Sequence, residues 1–433
     1  MFDGTPDEIS RLIEPGRVHR RVYTDPAIFD LEMSRIFGRT WIFVGHDSQV
    51  VKPGDYITTE IGRQPVILIR HSDGNTHVLL NRCAHRGPKV CNEPCGHAKA
   101  LTCLYHGWTY DTDGTLIDVS MPEGTAKGFD KSQFSLASVA RTGRYRGFIF
   151  ANLVKDGPSF DDFLGPMKAN IDDLVDRAPD GEILLDAGMH RYFFRGNWKL
   201  QVENVLDSYH VPYSHASTVN KKGEQFSRRE GDKEGAKVID DQNTDKTADV
   251  WKGRRSFVVN FGHGWTSNTE LNEKGRSSPA YDAYKEALAA KVGPERMAEI
   301  LTPEFHNSLL YPNTSIMGLN IHIRVIRPVA VDLTEVMVYP VRLKGAPESM
   351  NFGNIRLLNV THSAASFVQT DDLESFRRTQ AGLRSEQSDW IDISRGLGEE
   401  KADDHYNATS ESAMHEMVIR AQYDAWRQYM CDA

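Results

Sequence analysis

Two short stretches of sequence, each with one cysteine and one histidine, decide how the first third of the chain folds. They read Asn81-Arg82-Cys83-Ala84-His85-Arg86-Gly87-Pro88 and, after seventeen intervening residues from His85, Cys103-Leu104-Tyr105-His106-Gly107-Trp108. Each pair comes after a predicted β-strand and therefore occupies a loop, where the two loops can face each other. A glycine closely follows each histidine, and glycine permits the tight turns that an embedded group requires.

Two thiolates and two imidazoles predict a [2Fe-2S] cluster in which the cysteines bind one iron and the histidines bind the other. Neutral histidine ligands raise the reduction potential, so an ordinary ferredoxin can supply the electrons. Structural zinc, which accepts the same ligand types, is the alternative. Nearby Cys91, Cys95 and His97 could serve as zinc ligands, and the cluster interpretation gives them no role.

A second group of polar side chains lies in the stretch 197–210, which begins as a predicted helix capped by Asn197. Asn204, Asp207 and His210 recur every three residues and therefore share one face of that helix. A stripe containing an amide, an acid and an imidazole is costly to bury unless it binds something. The alternative is an ordinary amphipathic helix end with solvated polar groups.

His215 follows this helix and can join the same group. Pro212 disfavours helical geometry at the residue before it, so the helix should end near His210 and let His215 fold back. Two histidines and one carboxylate form the facial triad of non-haem iron(II) oxygenases, which leaves positions open for oxygen. The stretch therefore predicts a mononuclear Fe(II) site.

Composition sets the limits for the whole chain. It has 433 residues, 39% hydrophobic and 26% charged, which suits a globular protein of two or three domains. A net charge of -9 argues against nucleic acid as a partner. No apolar run approaches the ~20 residues that span a membrane, and Met1–Glu14 lacks the features of a signal peptide. We therefore expect a cytoplasmic protein without a membrane partner.

Hydrophobic and turn patterns predict an α+β fold. The elements expected are a helix over 27–43, strands at 65–70 and 76–80 joined by an Asp73-Gly74-Asn75 turn, a strand pair within 315–343, and helices at 160–175, 371–383 and 413–430. We predict three parts: an N-terminal helical segment (1–39) packing on the last part, a small antiparallel β domain (40–156), and a larger domain (157–433). The charged stretch 221–252 has no assignment.

The combined motifs resemble the large (alpha) subunits of Rieske aromatic-ring-hydroxylating oxygenases, from about Thr40 to Gly382. The resemblance implies a Rieske domain and a catalytic domain of helix-grip type, with an antiparallel sheet flanked by helices. It implies that Cys83 and Cys103 bind one cluster iron, and that His85 and His106 bind the other.

The same resemblance assigns the second site. His210 and His215 match the iron-binding histidines, and Asp207 matches a bridging acid that is not a ligand. The carboxylate ligand belongs to a downstream motif that here reads Asp371-Asp372-Leu373-Glu374. We choose Asp372, with Asp371 and Glu374 as admissible substitutes.

The family's activity is a relay of electrons to oxygen. NADH reduces a separate reductase, with or without a ferredoxin, and the terminal oxygenase uses O2 to hydroxylate or cis-dihydroxylate an aromatic ring. No glycine-rich dinucleotide motif follows a predicted strand, so the reductase is another polypeptide. The family assembles as a homotrimer in which the bridging acid joins neighbouring chains, in some members with a small beta subunit.

One residue bears on the substrate. Arg324 lies in the alternating stretch 319–326 and could clamp a carboxylate by paired hydrogen bonds, which would suit an aromatic acid. Two other functions stay open at this point. One is a Rieske monooxygenase or demethylase that acts on a non-aromatic amine. The other is a zinc-stabilised binding module without turnover.

Overall fold

The computed structural model describes residues 4–215, 254–268, 278–302, 307–318 and 321–432. The chain divides into two compact units. One is Phe37–Phe160, and the other combines Met1–Ile36 with Asp161–Ala433. The charged stretch 221–252, unassigned from the sequence, lies outside the described residues.

The unit Phe37–Phe160 consists of antiparallel β-sheets. Its four-stranded sheet has the order Thr76–Leu80, Gln64–Arg70, Asp55–Ile61, Cys95–His97. Its two three-stranded sheets have the orders Leu116–Asp118, Thr109–Tyr110, Leu101–Thr102 and Arg141–Tyr145, Phe148–Asn152, Ile42–His46. Short 3₁₀ turns connect them at Asp47–Gln49, Pro122–Gly124 and Lys131–Phe134.

The predicted hairpin between the strands Gln64–Arg70 and Thr76–Leu80 is confirmed. Gly74 has a φ of 87°, which glycine adopts without strain. Asp73 Oδ1 accepts a hydrogen bond from the Asn75 backbone N–H at 2.8 Å, which closes the turn. The turn residues thus set the register of the two strands.

The helix predicted over 27–43 is wrong at its C-terminal end. The helix Pro26–Glu32 continues as one π-helical segment, Met33–Phe37, and then stops. The next element is the strand Ile42–His46, which pairs with Phe148–Asn152. Its aromatic and β-branched residues are all buried, and they suit a pleated strand better than a helix.

The second unit is built around one antiparallel sheet of eight strands. Their order is His190–Phe194, Leu333–Pro340, His322–Ala330, Thr314–Met317, Asn307–Leu310, Gly264–Asn268, Arg254–Val258, Ala408–Ser410. Two small sheets join Ile13–Glu14, Arg17–His19 and Trp390–Asp392, and Ile183–Leu184 with Arg342–Leu343. The sheet confirms the predicted strand pair within 315–343.

Helices flank this sheet. They are Pro6–Ser10, Arg21–Thr24, Pro26–Glu32, Phe160–Leu164, Met167–Asp176, Trp198–Leu206, Val211–Ser214, Pro279–Val292, Pro294–Leu301, Glu348–Thr361, Gln369–Gly382 and Met417–Cys431, with a 3₁₀ turn at Asn260–Gly262. One unit with an antiparallel sheet flanked by helices and one small antiparallel β unit together confirm the predicted fold class. None of the described helices is long and apolar enough to cross a membrane.

Three helices meet where the second polar motif lies. The helix Trp198–Leu206 packs on the strands Asn307–Leu310 and His322–Ala330. The helix Gln369–Gly382 contacts that helix, the short helix Val211–Ser214 and an edge of the sheet. This packing brings residues that are distant in sequence to one place.

A buried ion pair ties the N-terminal helices to the rest of this unit. Glu32 and Lys199 are almost inaccessible, and Lys199 Nζ lies 2.5 Å from Glu32 Oε1. The indole N–H groups of Trp198 and Trp426 also donate to Glu32, at 2.8 and 2.7 Å. The carboxylate is therefore fully hydrogen-bonded, which a buried charge requires.

Candidate active site

The two Cys–His motifs occupy matching loops at the end of the Phe37–Phe160 unit. In each loop the backbone N–H of the glycine four residues after the cysteine bonds to the cysteine carbonyl: Gly87 to Cys83 at 3.0 Å and Gly107 to Cys103 at 2.9 Å. Both glycines have positive φ, 85° and 68°. The loops therefore need glycine at these positions, as the sequence suggested.

The loops place sulfur inside and imidazole outside. Cys83 and Cys103 are 2% and 1% exposed and belong to the core of this unit. The rings of His85 and His106 lie side by side, with centroids 4.5 Å apart, nearer the surface. Trp108 stacks on His85 at 4.7 Å and fixes its plane. The thiols thus lie deeper than the two imidazoles, of which His85 is exposed and His106 partly exposed.

Hydrogen-bond donors surround both sulfur atoms. Tyr110 Oη lies 3.1 Å from Cys83 Sγ and accepts a bond from the Ala84 backbone N–H, also at 3.1 Å. The hydroxyl hydrogen is therefore free to point at the sulfur. Burial raises the pKa of Cys103, whereas bonds from the backbone N–H groups of Tyr105 and His106 favour its thiolate.

This donor set fits a [2Fe-2S] group better than a single zinc ion. In the part of the chain that the structure describes, one set of three donors lies within 4.8 Å, and it belongs to the other unit. The four motif residues are more widely spread, as two bridged irons require. Exposed Cys95 and His97 do not join them, because His97 pairs with Asp55 at 3.0 Å.

The tightly converging set is His210, His215 and Asp372. Asp372 Oδ1 lies 3.5 Å from His210 Nε2 and 3.3 Å from His215 Nε2. Asn204 Nδ2 lies 3.2 Å from both Asp372 Oδ1 and His210 Nε2. Two imidazole nitrogens and a carboxylate oxygen therefore face one point, with the Asn204 amide beside them.

The helix that carries this group ends earlier than expected. It stops at Leu206, and Asp207 is its C-terminal cap with extended backbone. His210 then precedes the short helix Val211–Ser214, so Asn204, Asp207 and His210 do not share one helical face. The chain reversal brings them together instead. The predicted return of His215 towards His210 is confirmed by a ring separation of 5.3 Å.

The outer nitrogen of each imidazole is held by an acid. Asp207 Oδ2 lies 3.1 Å from His210 Nδ1, and Asp371 Oδ2 lies 3.5 Å from His215 Nδ1. A carboxylate in this position fixes the ring and makes its inner nitrogen a better metal ligand. Of the three candidate acids, Asp372 alone points inward. Asp371 supports His215, and exposed Glu374 pairs with nearby arginines.

Opposite charges stabilise this group. Burial opposes ionisation of Asp372, but bonding to His215 and the charges of His210 and Arg324 outweigh it, so the pKa of Asp372 is lowered. The pKa of His210 is raised, because its acidic partners outweigh its burial. Burial lowers the pKa of His362 to about 3, and the charge of Arg324 lowers it further.

Arg324 lies in the strand His322–Ala330, and its charge acts on Asp372. It is 2% exposed, and its Nη2 donates to Gln369 Oε1 at 3.0 Å. Among the described residues, Arg324 Nε, Gln369 Nε2 and the Tyr192 hydroxyl have no hydrogen-bond partner. Buried polar atoms are rarely left unpaired. These three donor atoms could therefore bind a polar group of a ligand.

Comparison with known proteins agrees with the presence of a Rieske domain and a catalytic iron domain. A family model described as ring hydroxylating alpha subunit (catalytic domain) matches residues 182–430, and a Rieske [2Fe-2S] domain model matches residues 40–129. The 2-halobenzoate 1,2-dioxygenase large subunit of Burkholderia cepacia is 34% identical over 391 residues, 88% of this chain and 80% of that protein. The anthranilate 1,2-dioxygenase large subunit of Acinetobacter baylyi is 33% identical over 437 residues, 96% and 90%.

A solved structure of naphthalene 1,2-dioxygenase with indole bound in the active site superposes with a TM-score of 0.83 at 25% identity, covering 97% of this chain and 94% of that one. The fold and the two sites thus define a Rieske non-haem iron oxygenase. The chain belongs to the ring-hydroxylating oxygenase alpha subunits, and it is a terminal oxygenase component. Its cofactors are a Rieske [2Fe-2S] cluster and a mononuclear iron.

Several residues of these sites had no role assigned from the sequence. Tyr110 and Tyr192 were missed because each reaches its site from a strand outside the motifs. Gln369 begins the downstream motif, but no role was assigned to it. Asp371 was considered only as a substitute ligand, whereas it supports His215. The one available signal was the position of Gln369 three residues before Asp372, on the same face of a helix.

Proposed function

We propose that this chain inserts both atoms of O2 into an aromatic ring, with His210, His215 and Asp372 as iron ligands and Cys83, His85, Cys103 and His106 as cluster ligands. The reaction combines the ring, O2, two electrons and two protons into a cis-diol, and NADH supplies the electrons through a separate reductase. Iron bound by three residues leaves positions open for oxygen. Insertion of both atoms is supported by the relatives, which are named 1,2-dioxygenases.

The convergence of His210, His215 and Asp372 within 4.8 Å carries this proposal. Each histidine presents Nε2 inward because its Nδ1 is held by an acid. Asn204 can orient Asp372 and donate to a group bound beside it. The role of these residues would be to hold the iron and to orient its ligands. The iron, when bound, would supply the chemistry of oxygen activation.

We further propose that the working unit is a ring of three chains, with a small beta subunit optional. In this ring Asp207 joins a cluster histidine of one chain, His106, to His210 of the next. Exposed side chains at both places support the contact: Tyr105 is 62% exposed and Tyr213 is 73% exposed. Head-to-tail contacts of one kind close naturally into a ring.

We also propose domain boundaries at 39/40 and 156/157 and a cytoplasmic location. The boundaries are supported by the compact units, which divide near Phe37 and Asp161.

Metal analysis tests the ligand assignment. We expect about three iron atoms per chain, two in the cluster and one mononuclear. His210→Ala should lose one iron and all hydroxylation while the visible cluster spectrum persists, and His405→Ala, at an exposed position, should change nothing. Zinc in place of iron, or loss of colour in His210→Ala, would contradict the proposal.

The substrate we propose is an aromatic carboxylate. The unpaired Arg324 Nε beside Asp372 supports this, as do the relatives' names, which denote a halobenzoate and anthranilate. Arg324→Leu should raise KM steeply for aromatic acids and much less for uncharged analogues. Arg327→Leu, in the same strand but paired with Glu335, is the control. Equal losses for acids and neutral analogues would make Arg324 structural.

A further inference from the structure

Three acidic or phenolic oxygens from distant parts of the chain meet beside the Asp207 segment. The Tyr23 hydroxyl donates to Glu203 Oε1 at 2.8 Å. The Tyr423 hydroxyl also bonds to Glu203 Oε1, and it contacts the Tyr23 hydroxyl. Tyr23 and Tyr423 are 1% and 2% exposed, while Glu203 is partly buried. One carboxyl oxygen is thus held by two buried hydroxyls.

The surroundings favour a proton on this group. Burial raises the pKa of Glu203 to about 7, and the negative charge of Asp207 adds to the rise. Hydrogen bonds from Tyr423 and Tyr23 and the charge of Lys199 oppose it. The remaining facing acid, Glu416, also has a raised pKa, through burial and partly through Asp207.

Glu203 and Asp207 are directly connected in the helix. Asp207 is four residues after Glu203, and its backbone N–H bonds to the Glu203 carbonyl at 3.2 Å. Asp207 is the extended residue that caps this helix, and its negative charge acts on Glu203 through space. Asp207 also holds His210. The charge of Glu203 is therefore felt at the acid that orients an iron-ligand histidine.

We propose that Glu203, held by Tyr23 and Tyr423, is a positioning residue whose proton sets the charge beside Asp207. Protonated Glu203 adds no negative charge beside Asp207. Electron transfer from the cluster of one chain to the iron site of the next is then not opposed. When Glu203 ionises, its proton passes to water and a second negative charge appears beside Asp207. That charge would repel an electron moving from the cluster of one chain towards the iron site of the next. This inference rests on the proposed function only for its effect on turnover.

Infrared titration of the holoprotein tests, without turnover, whether Glu203 carries a proton. The carbonyl stretching band of a protonated carboxylic acid should be present at pH 6 and lost with an apparent pKa near 7. Glu203→Gln should remove that band, and Glu416→Gln should leave it. A band that persists in Glu203→Gln, or no such band in the wild type, overturns the inference and leaves the proposed activity untouched.

The pH profile of product formation tests whether ionisation of Glu203 slows turnover. In the wild type the rate should fall roughly three- to tenfold as pH rises through the Glu203 pKa, the size expected for like charges in a partly buried site. Glu203→Gln should abolish this fall. Tyr423→Phe should move it to higher pH, because it removes a donor that favours the ionised form. Tyr429→Phe, in the same helix but stacked on Tyr311, is the control.

Each outcome of this profile has a clear meaning. An unchanged fall in Glu203→Gln overturns the inference. A rate that is low at every pH assigns Glu203 a purely structural role and also overturns it. If Glu203→Gln does not fold, the alkaline shift in Tyr423→Phe decides: its presence supports the inference and its absence refutes it.

Discussion

Replacing Tyr110 by phenylalanine should lower the reduction potential of the cluster. The Tyr110 hydroxyl lies 3.1 Å from Cys83 Sγ and accepts a hydrogen bond from the Ala84 N–H. A cysteine that binds iron is a thiolate without a hydrogen, so the hydroxyl is the donor to the sulfur. The sulfur of a cluster ligand is more negative after reduction. A donor therefore stabilises the reduced form more than the oxidised form, and its loss favours oxidation.

The size of the expected decrease in reduction potential follows from the loss of the hydrogen bond between Tyr110 and Cys83. A hydrogen bond to a charged acceptor contributes about 1.5–3 kcal/mol, and we assign about 1–2 kcal/mol of it to the difference between the two oxidation states. For one electron, a tenfold change in equilibrium constant corresponds to about 59 mV. The expected decrease is therefore roughly 45–85 mV.

Spectroscopic redox titration of the purified protein measures this decrease. Tyr110→Phe keeps the ring and hence the packing of this fully buried residue. The control is Tyr56→Phe, because Tyr56 borders the same core without contacting Cys83; its potential should stay at the wild-type value. An unchanged or higher potential in Tyr110→Phe, with the cluster intact, would refute the reasoning.

Two further predictions concern the other unit. Asp207→Asn keeps the size of the side chain but removes its charge, so product formation should fall by roughly a hundredfold or more while cluster and iron content persist; wild-type turnover, or full activity in a stably monomeric protein, would contradict the bridge. Lys199→Met leaves the Glu32 carboxylate buried without its counter-charge, so denaturant unfolding should show a loss of about 3–5 kcal/mol. The exposed pair Lys285–Asp282 is its control, since Lys285→Met should cost about 0.5 kcal/mol or less.

The features predicted best from the sequence are those determined by residues close together in the chain. The cluster residues follow two short loops with fixed spacing, so their convergence needs only the hairpins that carry them. His215 was placed correctly because Pro212 dictates a chain reversal within a few residues. Asp372 required the family resemblance, because three acids in one helical turn are equivalent in pattern, and only packing of that helix shows which faces inward.

Contacts between distant elements could not be predicted. Tyr23 and Tyr423 lie near opposite ends of the chain, and nothing in their spacing indicates that both reach Glu203. The early end of the helix at Leu206 was also missed, because Val205, Leu206 and Asp207 continue an acceptable helical pattern. There, tertiary contacts of the polar side chains outweigh local helix preference.

The separation of the ligands along the chain has a consequence for biosynthesis. Cys83, His85, Cys103 and His106 belong to one short stretch, so their site is complete as soon as this unit leaves the ribosome. His210 and His215 must wait for Asp372, which is translated much later and reaches them only when the catalytic unit has packed. Domains fold as units during synthesis, N-terminal first. With the ligands proposed above, cluster insertion could begin on a nascent chain, whereas iron loading would require the packed catalytic unit.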